Sequence, residues 1–344
     1  MPLNDIVTPV LARLTRREEL LATEVEAVIA EILGGRVEPV QAAGFLVALR
    51  TKRETEGEIA ALVRAMHRHA RSVEVEPGAV DTCGTGGDRA GTINVSTLAA
   101  IVAAAAGARV VKHGNRAASS QCGSADVLEA LGVRIDCGPE GVARCVREAG
   151  IGFCFAPVYH PGMRHLGPVR KELGVPTTFN YLGPLLNPAR VTRQVVGVSD
   201  PEMAGRMLHA LHASGSERAM IVHGDDGLDE LTTTTTSTVY ELVGGQVRTS
   251  TVDPADLGLT RVAPETLRGG DAAHNADAVR AVLGGQPGPR REVAVLNAAA
   301  ALVVADLVPD LAAGVAAAGA AIDRGAAAAV LDALVRTSNE AGDD

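Results

Sequence analysis

Tryptophan is absent, and the four Phe and three Tyr in 344 residues are too few rings for a platform on which single-stranded bases stack. Basic charge is also short. The 32 Lys plus Arg stand against 41 Asp plus Glu, a formal net charge of −9, which excludes a surface that coats polyanions by charge alone and leaves room only for a local basic pocket. No nucleic-acid partner is expected. The five cysteines, Cys83, Cys122, Cys137, Cys145 and Cys154, are odd in number and form no C-x-x-C, so neither a disulfide framework nor a zinc site is indicated. They read as reduced thiols, and the expected location is the cytoplasm. The longest apolar runs, near 98–108 and 298–305, fall short of the roughly 18 to 20 residues that span a bilayer. The opening MPLNDIVTPVLARL carries no basic leader before an apolar stretch, so neither secretion nor a membrane partner is expected.

Length at roughly 150 residues per domain gives two domains or one large one. Residues 1–75 read as consecutive short helices. Thr23-x-x-Glu26 and Thr55-x-x-Glu58 resemble capping boxes, Gly34-Gly35 is a helix stop and Pro39 a helix start. From residue 76 to 344 the grammar changes. Short β-like stretches (79–82, 109–112, 219–222, 293–296) alternate with Ala-rich helical ones (95–106, 125–131, 202–213), the pattern of an α/β domain with a mostly parallel central sheet. The Pro- and Gly-rich stretch 160–188 reads as loops joined by short helices, and helices from about 162 to 190 are expected to rejoin the helical domain. Thr232 to Thr236 favours an extended segment by β-branching. The tail from Asn339 is expected to fray.

Four segments carry candidate chemistry. The first, Asp81-Thr-Cys-Gly84-Thr-Gly86-Gly87-Asp88 followed by Asn94-Val-Ser96-Thr97, is a strand ending in a glycine-dense turn before a helix, a geometry that brings backbone amides to an anion. It is neither a Walker loop nor G-x-G-x-x-G, and a plain tight turn with a helix cap is the bland alternative. The second, Lys112-His113-Gly114-Asn115-Arg116 with Ser119-Ser120 and Gly123-Ser124, puts polar residues after an apolar strand, where parallel sheets bind ligands. Lys112 offers a point charge to phosphate and Asn115 both donor and acceptor, whereas His113 reads as a hydrogen-bonded loop residue rather than an acid or base, and Ser124 as a helix cap. The third, His223-Gly-Asp225-Asp226-Gly-Leu-Asp229-Glu230, supplies hard oxygen ligands suited to Mg²⁺ shared with a phosphate substrate; a solvated acidic turn is the alternative. The fourth runs from Tyr159 through Arg164 and Arg170 to Phe179-Asn-Tyr-Leu-Gly-Pro184. Six residues apart, the two arginines would lie about 240° apart on one helix, so at most one serves a pocket. A guanidinium fork suits a carboxylate, and Pro184 an apolar slot.

Taken in order, D-T-C-G-T-G-G-D, N-x-S-T, K-H-G-N-R-x-x-S-S, G-S-A-D-V-L-E-A-L-G, F-N-x-L-G-P-L-x-N-P, D-G-L-D-E and a later L-N-A-A-A-A-L at 296–302 resemble the anthranilate phosphoribosyltransferase family of tryptophan biosynthesis. The resemblance covers nearly the whole chain. It implies a nucleoside phosphorylase/phosphoribosyltransferase-like fold with a small N-terminal helical domain. The implied reaction is transfer of phosphoribose from 5-phosphoribosyl 1-pyrophosphate to the amine of anthranilate, with Mg²⁺, two per active site, in a homodimer packed through the helical domains. Carried over by motif, Gly84, Gly86, Gly87, Asp88, Asn94, Ser96, Thr97, Lys112 and Ser124 would surround phosphoribosyl pyrophosphate. Gly84, His113, Asn115, Arg170 and Pro184 would receive anthranilate, and Ser96, Asp229 and Glu230 would hold metal. No general base is implied. The family's common Lys in S-S-K-S-G-S is Gln121 here, and its Thr in G-P-L-T-N-P is Leu186. A nucleoside phosphorylase on a related architecture is disfavoured by Asp229-Glu230 and the 112–116 segment. A nucleic-acid-binding homologue is disfavoured by charge and sparse aromatics.

Overall fold

Four helices, α1 (Val7–Thr15), α2 (Ala22–Leu33), α3 (Pro39–Lys52) and α4 (Glu56–Arg68), form the N-terminal bundle of the computed structural model, which describes residues 4–117 and 120–342. Ser119 of the second loop therefore lies outside the described residues. The helix ends follow sequence chemistry in part. Helix α2 stops at Gly34-Gly35, with Gly35 at φ 69°, and α3 opens on Pro39. At α4 the capping box closes: Glu58 N–H donates to Thr55 Oγ1 at 3.2 Å, and Thr55 N–H donates to Glu58 Oε2 at 2.8 Å. The box expected at Thr23 does not form. Helix α2 starts at Ala22, Glu24 takes the Leu21 amide at 2.7 Å, and Glu26 instead pairs with Arg64 and Arg68 of α4.

The rest of the chain alternates as β1 (Val80–Gly84), α5 (Val95–Ala105), β2 (Val110–Gly114), α6 (Ser124–Ala130), α7 (Pro139–Ala149) and β3 (Ile151–Phe155). Short helices α8 (Ala156–Tyr159), α9 (Gly167–Leu173) and α10 (Phe179–Leu182) lead to β4 (Arg193–Gly197), α11 (Pro201–Ala213), β5 (Arg218–Gly224), β6 (Ser237–Val243) and β7 (Gln246–Val252). Helices α12 (Ala272–Leu283), α13 (Pro289–Val304), α14 (Leu311–Asp323) and α15 (Ala326–Glu340) close the fold. One seven-stranded sheet runs β3-β2-β1-β4-β5-β6-β7, parallel from β3 to β5 and antiparallel beyond. The mostly parallel sheet is thus as expected, with an antiparallel hairpin added at one edge.

Three expectations are corrected. Residues 293–296 are not a strand but the middle of α13: a four-residue apolar run is ambiguous, and Pro289 with 16 helical residues decides it. Residues Thr232 to Thr236 do not form one extended segment: 233–235 are bends, and the hydroxyls of Thr232, Thr234 and Thr236 turn to Asp226 and Asp225. The tail does not fray at Asn339, which lies in α15 and donates to Gly132 O at 2.9 Å.

Two large apolar bodies and a smaller one around Val111, Cys154 and Tyr159 flank the sheet. Of the two large ones, one gathers α5, α12, α13, α14 and α15 around Val80, Val110, Ile151 and Val195. The other is continuous from the N-terminal bundle through Leu166, Val169, Phe179, Leu182 and Leu185 to α11 and the opposite sheet face at Val196 and Ile221. Residues 166–186 thereby pack with the helical bundle while reaching the sheet. Among the described residues no single helix is long and apolar enough to cross a membrane.

Candidate functional site

From β1 the chain adds β2 and β3 on one side, then returns to lay β4 on the other, so the sheet order reverses between β1 and β4. The crevice above the carboxyl ends of those strands is where open α/β sheets bind ligands. Strands β1, β2, β4 and β5 all end there in glycine, at Gly84, Gly114, Gly197 and Gly224. Two of these glycines are required by the segment that fills the crevice. A Cβ at Gly84 would overlap the Asp229 carboxylate, and one at Gly197 would overlap the Asp229 carbonyl oxygen.

Seated in this way, the acidic pair meets the glycine turn. Gly86 N–H donates to Asp229 Oδ2 at 2.6 Å, and Ser96 N–H, in the first turn of α5, donates to Glu230 Oε1 at 3.1 Å. Burial raises Asp229 to about 7, with the Asp88 charge adding to it, and pushes Glu230 well above the usual carboxylate range, with Asp229 adding. Asp225 and Asp226 are not part of the pair; they accept the threonine hydroxyls of 232–238 and shape the loop.

The other first-loop residues are placed unevenly. Gly86 and Gly87, at φ 68° and 85°, expose the turn, and Thr97 carries a buried hydroxyl with no partner among the described residues. Lys112 lies beneath this surface rather than on it: only 2 % exposed, its ammonium donates to Thr82 O and, at 3.3 Å, to Ser96 Oγ. Its charge offsets Asp81 and Glu230. Asn94 is likewise engaged, donating to Cys122 O at 3.1 Å and accepting from Asn275 at 2.9 Å, so it ties loops together. Ser124 does not cap α6; it donates to Asn115 O at 3.2 Å, while Asp126 takes the Gly123 amide at 2.9 Å.

Sequence reasoning missed Asp81 as an organiser. Buried and raised to about 6 by that burial, it accepts His113 N–H at 3.1 Å and Asn187 Nδ2 at 2.8 Å, joining β1, β2 and the 187 loop. Its place at the head of the first motif was the available signal. Four side chains in turn hold the Gly183–Leu186 turn that carries Pro184. His113 Nδ1 donates to Gly183 O at 3.0 Å, Gln194 to Pro184 O at 2.9 Å and His160 Nε2 to Leu186 O at 2.9 Å, while His67 of α4 bonds the Leu185 backbone. His113 is therefore hydrogen-bonded, as its sequence setting indicates, but it does this from strand β2 rather than from a loop. Asn115 is exposed. Arg164 and Arg170 sit on separate elements, so the single-helix spacing does not apply to them. Arg164 is exposed, whereas Arg170 on α9 is half-buried, with burial lowering its pKa, and its one hydrogen bond among the described residues is to Asn180 Oδ1 at 3.4 Å. No carboxylate among the described residues pairs with it.

The donor set fits Mg²⁺. Asp229 and Glu230, with the Ser96 hydroxyl nearby, offer the hard oxygen donors of a cation that takes only one or two protein carboxylates and completes its shell with phosphate oxygens and water. Two buried carboxylates, both pushed toward protonation by desolvation and by acidic neighbours and only partly offset by Lys112 and two backbone amides, are the negative charge such a cation relieves.

The histidines give a stability prediction. Burial holds His67 at about 4 and His113 at about 3 and lowers His160, so the unfolded chain takes up protons first as pH falls below ~6.5. Their contribution is full above ~6.5 and is lost as pH falls toward the folded values. The raised Asp81 and Asp229 act oppositely, contributing at acid pH and losing that contribution as pH rises to about 6 and about 7. The two sets offset one another, so the histidine effect is read as a difference. His67→Gln is expected to gain on the parent by roughly 1 kcal/mol per pH unit between about 6.5 and 4.5, the one-proton slope of ~1.4 discounted for partial exposure. Melting temperatures of both proteins across this range check it, and parallel curves would rule it out.

Sequence profiles of two glycosyl transferase family domains match the chain: the helical bundle domain over residues 8–70 and the a/b domain over residues 76–328. Anthranilate phosphoribosyltransferase of Chloroflexus aggregans is 51 % identical over 330 residues, covering 95 % of this chain and 97 % of that protein. The crystal structure of anthranilate phosphoribosyltransferase from Thermus thermophilus superposes with a TM-score of 0.91 at 44 % identity, over 98 % of this chain and 100 % of that one. The Saccharomyces cerevisiae anthranilate phosphoribosyltransferase in complex with PRPP and Mg superposes with a TM-score of 0.89 at 27 % identity, again over 98 % and 100 %.

Proposed function

Because the chain belongs to the anthranilate phosphoribosyltransferase family, we propose that the crevice between β1 and β4 is its active site, with the phosphates on the first loop and the acceptor beside α9 and the Gly183–Leu186 turn. The enzyme is a pentosyl transferase that moves the phosphoribosyl group from 5-phosphoribosyl 1-pyrophosphate to the amine of anthranilate, giving N-(5-phosphoribosyl)anthranilate and pyrophosphate. One observation carries the assignment of the donor half: Asp229 and Glu230 occupy amides of the glycine turn and of α5 at the topological switch point.

The amides of Gly86 and Gly87 and the first turn of α5, with Ser96 and Thr97, bind the phosphates. Gly84 lets the chain approach both substrates closely. Lys112 supplies positive potential from beneath and holds Ser96, and Ser124 and Asn94 fix the loops that enclose the ribose; Asp88 faces the acidic pair. Asp229, Glu230 and Ser96 hold Mg²⁺, two ions per site, and the cation when bound neutralises the pyrophosphate oxyanions. On the acceptor side Arg170 takes the anthranilate carboxylate, Asn115 orients the amine, and Pro184 with the neutral His113 walls the ring. Attack of the amine nitrogen on the anomeric carbon breaks the bond to pyrophosphate, whose oxygen keeps the electron pair. His113, lowered to about 3, is too weak a base to take the proton, which passes from the anilinium to water or a phosphate oxygen.

Exposed apolar residues on the bundle, Ile6, Val40 and Val47 at 41 %, 77 % and 41 %, support pairing of two copies through this domain. We place the division from the α/β domain at residues 75–76. Loss of anthranilate fluorescence on mixing protein, anthranilate, phosphoribosyl pyrophosphate and Mg²⁺ tests the reaction; no turnover by the folded protein would reject it.

A further inference from the structure

The L-N-A-A-A-A-L motif lies on α13, remote in sequence from both loops and without a part in the chemistry above. Its asparagine is buried, 3 % exposed, and every donor of its amide is used. Leu231 N–H donates to Asn297 Oδ1 at 3.0 Å, and Asn297 Nδ2 donates to Leu231 O at 2.8 Å and to Val293 O at 2.9 Å. A side-chain amide that satisfies both the N–H and the C=O of one residue acts as a strand neighbour would, fixing that residue in translation and rotation. Leu231 directly follows Glu230. The segment 229–231 is also held by the Leu231 side chain, fully buried in the core beside α5 and α13, and by the two carboxylate contacts to amides, but no other hydrogen bond among the described residues engages the Leu231 backbone.

We propose that Asn297 is a positioning residue for the metal-holding pair: its two-point clasp on Leu231 sets the depth and orientation at which Asp229 and Glu230 enter the crevice. The inference rests on the reading of those carboxylates as metal ligands. Helix α13 packs along α5, so the clasp references the acidic pair to the same rigid body that carries the Ser96 and Thr97 donors. Asn297 bonds the residue next to Glu230 rather than a carboxylate itself, so it acts on metal affinity through the backbone position of the pair, as outer partners that orient ligands do.

The test uses the full chain with Mn²⁺ and inorganic pyrophosphate, reading free Mn²⁺ by its paramagnetic resonance signal and folding by circular dichroism. Asn297→Ala is expected to weaken Mn²⁺ binding by about tenfold or more, while anthranilate binding without metal stays unchanged. Val303→Ala truncates another buried side chain of α13 and is expected to lower the melting temperature but to keep Mn²⁺ affinity within about twofold, which separates positioning from bulk destabilisation. If Asn297→Ala does not fold, Asn297→Ser takes its place with the same expectation. Equal losses in the α13 pair, or none in the Asn297 variant, overturn the proposal. Asp229→Asn with Glu230→Gln distinguishes the premise: if these also leave Mn²⁺ binding intact, the metal-site reading has failed, whereas if they abolish it and Asn297→Ala does not, only the clasp has.

Discussion

Arg170→Ala is expected to lower kcat/KM for anthranilate by about 30- to 150-fold, from a loss of roughly 2–3 kcal/mol, while phosphoribosyl pyrophosphate binding stays within about threefold. The size follows from the state of this guanidinium. Burial lowers its pKa, no carboxylate compensates it among the described residues, and its one hydrogen bond, to Asn180, is long at 3.4 Å. A cation already stripped of part of its water, with its donors nearly free, gains more from an arriving carboxylate than a solvated surface arginine does. The lower part of the range for buried charge pairs is used because the side chain keeps some access to solvent. The same variant should lose its preference for anthranilate over the uncharged anthranilamide, since the carboxylate is then the group without a partner. Steady-state kinetics with both acceptors, together with calorimetric titration of the pyrophosphate substrate, decide the matter. Equal losses for donor and acceptor, or an intact preference, would remove Arg170 from the acceptor site.

The helical bundle and the parallel half of the sheet were legible because local chemistry sets them. Thr55 with Glu58, Gly34-Gly35 and Pro39 act within a few residues, and the apolar stretches at 79–82, 109–112 and 219–222 lie within β1, β2 and β5 or at their edges. Strands β3 and β4 are no shorter than β1 and β2, but Gly152 interrupts the apolar run of one and the polar Arg193-Gln194 opens the other, so neither stands out from its flanks. The β6–β7 hairpin did carry a usable signal: Gly244-Gly245, at φ 57° and 75°, is the turn such ribbons prefer between alternating residues. Within the site, residue types and order indicated which loops meet, yet the burial of Lys112 and the roles of Asp81, Asn187 and Asn297 were not legible. Asp81 meets Asn187 across 106 residues and Asn297 meets Leu231 across 66, and no periodicity encodes such pairs. A lysine after two valines reads as a loop residue unless the Thr82 carbonyl beneath it is already known.

Removing the acidic pair is expected to reverse the order of two affinities. Asp229 and Glu230 accept from Gly86 N–H and Ser96 N–H, the donors proposed for phosphate, so the protein's own carboxylates cap the anion cradle. An incoming phosphate must displace them and then sit beside their charge, and a like charge about 5 Å away costs on the order of 3 kcal/mol at an effective dielectric of ~20. Without metal, Asp229→Ala with Glu230→Ala should therefore bind inorganic pyrophosphate about tenfold or more tightly than the parent. With Mg²⁺ the parent should gain strongly and the variant little, because the carboxylates can leave the amides only when a cation accepts them. Proton uptake offers an independent sign. Asp229 is raised to about 7 by burial and Asp88, so metal-free pyrophosphate binding by the parent should strengthen as pH falls through about 7, before Asp81, at about 6, takes up its own proton. The double variant should lose that step. Calorimetry in chelator and in Mg²⁺, from about pH 8 to 6, reads all of these. An unchanged Mg²⁺ dependence would take the pair out of the metal site, and a metal-free affinity no better than the parent's would show that the cradle is not capped by its own acids.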